Sequence, residues 1–143
     1  MYDFLDRTIG SLDDGSRFLI WSMRGWTQSM AERRCPPSAL GGSFAKSELS
    51  EALPHFHMAM MALNRDGLAT MGFGAITCPH VSEAEAVMLA LVRLIGTGRM
   101  APAEATIALL IKPDTVPLFR RAIVAVVTML VARFPLPDGV NGR

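Results

Sequence analysis

The sequence predicts an all-α protein, a single-domain bundle of five or six helices, on three observations. Apolar residues recur three and four apart in several separate windows. Those windows open on capping residues or proline and close at glycine or proline. One extended, glycine-containing stretch around 68–81 finds no second β-like stretch to pair with, so it reads as a loop. A chain of 143 residues suits one continuous core, so the domain is expected to span 1–143, with 1–12 and 135–143 as loose ends.

The first helix is expected from about residue 14 to about 34. Asp13, Asp14 and Ser16 can accept from free amides at its start. Leu19, Met23, Trp26 and Met30 then form one face, widened by Phe18, Ile20 and Trp21. Arg33 and Arg34 suit its C-terminal dipole, and Cys35-Pro36-Pro37 stops it. Ser38 to Lys46 reads as a short helix weakened by Gly41-Gly42. Ser47 and Ser50 announce the next, with Leu49, Leu53, Phe56, Met60 and Leu63 on its face. Pro54 belongs in its first turn or kinks it, and Asn64 to Gly67 ends it.

Ser82 and Glu85 have the spacing of a capping box, with Val81 placed as a hydrophobic staple. The helix behind them uses Val87, Met88, Leu91, Leu94 and Ile95 and ends at Gly96-Thr97-Gly98. Pro102 opens a further helix that stops before Lys112-Pro113. Asp114 is the expected cap of the last, about 115 to 134. Its run Ala122 to Ala132 has eleven residues, short of the ~20 that a bilayer span needs, and reads as a helix surrounded by neighbours. No membrane span is expected.

Net charge is +1, which gives no general field toward nucleic acid, and Arg120-Arg121 near the start of the last helix, the one feature that fits a recognition helix, reads as a solvated edge. Two cysteines make no disulfide framework, and no charged segment followed by an apolar one opens the chain, so a cytoplasmic location is expected. The arginine-rich, helical character is that of many small bacterial proteins. No nucleotide-binding or hydrolase motif is present.

Two constellations carry chemistry. Half of the residues are hydrophobic, and ten are methionine, more adaptable apolar surface than short helices need to cover. Tryptophan and methionine are favoured in interface cores, so Trp21, Trp26, Met60 and Met61 are the candidate partner-binding residues. The expected function is a non-enzymatic domain that self-associates, as a homodimer, or binds a protein partner, without cofactor. The alternative is a thiol-redox or zinc site. Cys78 and His80 lie two apart in an extended segment and point the same way, and Cys35 with His57 could complete the set. Both cysteines precede a proline near a helix start, where a thiolate is favoured.

Overall fold

The computed structural model describes residues 4, 5, 7–68 and 72–136. Among them run six helices: α1 Asp14–Ala31, α2 Pro36–Lys46, α3 Leu53–Asp66, α4 Glu83–Gly96, α5 Met100–Leu110 and α6 Val116–Arg133. Single 3-10 turns sit at Ile9–Ser11, Ser50–Ala52 and Pro113–Thr115, and no β-strand forms among the described residues. The protein is an all-α bundle.

α1 starts where its cap places it: Asp13 accepts from the Ser16 amide at 3.1 Å and from the Ser16 hydroxyl at 2.8 Å. α2 starts two residues earlier than expected, because Pro36 and Pro37 occupy its first turn, where a missing N–H costs nothing. Pro54 does the same for α3, so no kink is needed. Asp114 is not the cap of α6; it lies inside the preceding turn, and Thr115 holds the cap position. The Thr115 hydroxyl instead donates to Asp66 at 2.7 Å. Backbone bonds from Leu68 to Leu110 and from Lys112 to Asp66 join the ends of α3 and α5 beside it.

α6 packs most extensively on α3 and also meets α4 and α5, while α1 packs on α2. Phe119, Ile123, Val126 and Val127 of α6 lie in one buried cluster with Phe56 and Met60 of α3 and Met88 and Leu91 of α4. The expectation that α6 is surrounded by neighbours is corrected: Thr128 and Ala132 are exposed, so the helix forms one wall of the bundle. With its leading turn, Pro113–Arg133 is also long and apolar enough to cross a bilayer by length and composition.

The described residues before α1 are tied down rather than loose; residues 1–3 and 6 of the expected loose end lie outside the described ones. Phe4 and Leu12 are buried, and Thr8 pairs with His80 through bonds from Ile9 to Pro79 and from Val81 to Arg7. Phe134, past α6, lies 6.0 Å from the Phe18 ring, while residues 137–143 of the expected C-terminal tail lie outside the described ones.

α1, α2 and α4 each end in the same way. The residue after the cap turns left-handed, its amide and the next one bonding back to the last turn. After α4 that residue is Gly98, but after α1 it is Arg33 and after α2 it is Glu48, each at φ 60°. A side chain there costs about 1 kcal/mol or more relative to glycine. Arg33→Gly and Glu48→Gly are each expected to raise unfolding free energy by about 0.5–1 kcal/mol, measured as a higher urea midpoint at unchanged m-value.

Candidate functional site

The start of α4 organises the surroundings of the extended segment. Ser82 accepts from the Glu85 amide at 3.2 Å, and Glu85 accepts from the Ser82 amide at 2.9 Å, which completes the capping box. Val81 before it is buried. Glu85 also accepts from the Gly74 amide at 2.8 Å and from Arg24 through both oxygens, at 2.7 and 2.9 Å. Arg24 donates in addition to the carbonyls of Cys78 and His80 at 2.7 and 2.9 Å.

Both side chains are withdrawn from water, Arg24 at 2% and Glu85 at 0% exposure. No buried side-chain polar atom lacks a partner among the described residues. The Glu85 bond outweighs desolvation and raises the Arg24 pKa. Burial alone would raise Glu85, but bonds from Arg24, Ser82 and Gly74, with the Arg24 charge, hold its carboxyl below the usual range. The pair is therefore ionised, and it clasps residues 72–82 against α1. Gly74 is glycine for contact: a Cβ there would stand 2.8 Å from the Arg24 guanidinium.

The clasp was not visible from spacing, since its partners are 61 residues apart. A signal did exist: Arg24 lies one helical turn from Ile20, within the buried face of α1, and a charge there requires a partner. The stretch holding Cys78 and His80 thus serves through its backbone carbonyls. The His80 residue is exposed, and the Cys78 thiol donates to the His80 carbonyl at 3.5 Å.

Cys35 is elsewhere. Cys78 borders a cleft that it shares with Ser43, Lys46 and Ser47 at the C-terminal end of α2, whereas Cys35 caps the other end. Eleven residues of helix separate the two ends by ~16 Å, against ~7 Å for Cα atoms that a disulfide can join. Both cysteines are free, and no group of three or more His, Cys, Asp or Glu side chains converges among the described residues. Cys35 is exposed, and bonds from the Ser38 side chain and backbone lower its thiol pKa. His57 is engaged otherwise: its Nδ1 accepts from the Trp26 indole at 3.0 Å, and burial lowers its pKa. Nδ1 is therefore unprotonated and the neutral ring carries its proton on Nε2.

The four candidate partner residues divide. Trp26 and Met60 are buried core residues that wall a cleft between α1 and α3, and Met61 is half-buried against the core. Trp21 is 43% exposed. It lies in the second cleft, of about 590 Å³, between α1, the end of α2 and residues 76–79. Phe18, Ile20 and Trp21 form one side, and Ile76 and Pro79 face them from the clasped segment. Arg24, which holds that segment through the Cys78 and His80 carbonyls, itself lines the cleft. Comparison with protein-family models, curated proteins and solved structures finds no match for this chain.

Arg24→Met and Glu85→Gln each leave one buried partner uncompensated and are expected to lower stability at neutral pH by about 3–5 kcal/mol. A depressed carboxyl pKa contributes stability that is complete above the unfolded value of about 4.3 and disappears as pH falls through the folded one. Urea midpoints at neutral and acid pH should therefore fall in the wild type, with that share of the fall absent in Glu85→Gln.

Proposed function

We propose that the chain is a non-enzymatic binding domain whose working surface is the Trp21 cleft. The observation that carries this reading is the pairing of a large, part-exposed aromatic with an opposed exposed apolar side chain, Ile76, across a concavity whose wall is fixed by a buried ion pair. Ligand sites are typically concave, mostly apolar and preformed, about 300–1,000 Å³ in volume, and tryptophan commonly anchors them. No carboxylate lines the cleft among the described residues, and much of its wall is apolar. The neutral dye Nile red provides the test. The expected result is one saturable site whose affinity falls about tenfold in Trp21→Ser, a loss in proportion to a buried aromatic. Absence of saturable binding, or binding indifferent to the substitution, overturns the reading.

A second reading, self-association, is favoured by the outer face of α5. Ala101, Ala105, Ala108 and Leu109 are exposed and share one face of the helix by their spacing, with Leu109 at 75% exposure. The face has no charge of its own, small residues permit close approach of a second helix, and a second copy of the chain is the occupant that needs no other component. Sedimentation velocity at tens of micromolar is expected to show a dimer in the wild type and a monomer for Leu109→Glu. A monomeric wild type overturns this reading and leaves the first untouched.

A further inference from the structure

The last turn of α2 adds a chemical preference to the cleft. Ser43, Lys46 and Ser47 line it at spacings of three and four, so two hydroxyls and an ammonium occupy one helical face. None of the three side chains has a hydrogen-bond or ion-pair partner among the described residues, and Lys46 is exposed. The cleft lining contains three cationic residues and no acid. Two of the cations are already compensated: Arg24 by Glu85, and Arg17 by Asp14 and the Leu12 carbonyl. Lys46 is the uncompensated one.

Two local features could oppose an anion at this place, and both are blunted. The final carbonyls of α2 would carry partial negative charge, but amides of Ser47, Glu48 and Leu49 bond back to the last turn, and Arg133 donates to the Ser47 carbonyl at 3.0 Å. The Glu48 carboxylate beyond the helix is paired with Arg133 at 3.5 Å. Donors without partners therefore share a concavity whose apolar wall includes Phe18, Trp21, Ile76 and Pro79.

We propose that the cleft takes a single-chain amphiphile with a carboxylate head, a free fatty acid: the head on Lys46, Ser43 and Ser47, the chain between Trp21 and Ile76. The assignment rests on the cleft being a binding site at all, and adds the sign and place of the charge. An apolar chain alone would need no ammonium, and an anion alone would not use the aromatic wall.

Calorimetric titration of the full chain with decanoate, decanol and decyltrimethylammonium, each below its aggregation concentration, separates the two claims. Decanoate is expected to bind about tenfold more tightly than decanol, with the cation weakest. Lys46→Ala, an exposed substitution, is expected to abolish that preference, bringing decanoate to the affinity of decanol in the same variant. Equal binding of decanoate and decanol, or a preference that survives Lys46→Ala, overturns the head-group assignment while the cleft reading stands. Failure of all three to bind overturns both. Recruitment to anionic phospholipid vesicles without uptake of monomeric decanoate, or a copurified protein seated on Trp21 in native mass spectra, also overturns the fatty-acid assignment.

Discussion

The bond from Arg24 to Glu85 is the constraint on which the wall opposite Trp21 depends. Residues 72–80 contribute no buried hydrophobic residue and form no regular element, so packing alone has little grip on them. Their position comes largely from hydrogen bonds: those that converge on Arg24 and Glu85, the backbone bond from Ile9 to Pro79 and the bond from Ser82 to Gly72. Ionising this pair inside the protein carries a desolvation cost of several kcal/mol per charge, which only an excellent geometry can offset. Here the carboxylate accepts four bonds, two from the guanidinium and one each from the Gly74 and Ser82 amides, and the guanidinium donates two more to nearby carbonyls. The arrangement is better read as a device for placing a segment than as a source of net stability. Its product is the wall opposite Trp21.

Much of the architecture could be read from residue spacing, because each helix has an apolar face that repeats and ends that are chemically marked. Asp13, Pro54 and the Ser82–Glu85 box all act where local chemistry places them. The misreadings have physical causes. Pro36 and Pro37 stop α1, and the same residues are suited to open α2. Gly41 and Gly42 lower helix propensity, but Leu40 and Phe44 bury on either side and hold α2 together. Arg33 and Glu48 occupy left-handed positions that composition does not announce. Asp114 looked like a cap and is one residue early, because a 3-10 turn intervenes.

The candidate site was legible only in fragments. Trp21 stands exposed, whereas Trp26 and Met60, candidates on the same grounds, face the core. A helix carrying several large apolar side chains does not reveal which of them the tertiary fold will cover. Cys78 and His80 drew notice for their side chains, and the structure uses their carbonyls, a role open to almost any residue. Lys46, the cleft's uncompensated cation, drew no functional reading, since one lysine at the end of a short helix looks like ordinary dipole chemistry.

Glu85 belongs to two interactions with very different reach along the chain. Its bond to the Ser82 amide is local and can form with the first turn of α4. Its bonds to Arg24 must wait until α1 and α4 have docked, since closing a loop of that length is slow and entropically opposed. The capping box therefore holds the carboxylate aimed before its partner arrives. The segment that walls the cleft is thus latched by one bond local to the start of α4 and by others that span 61 residues. In the native ensemble, the Gly74 amide would exchange with solvent through opening of that latch rather than through unfolding of the bundle.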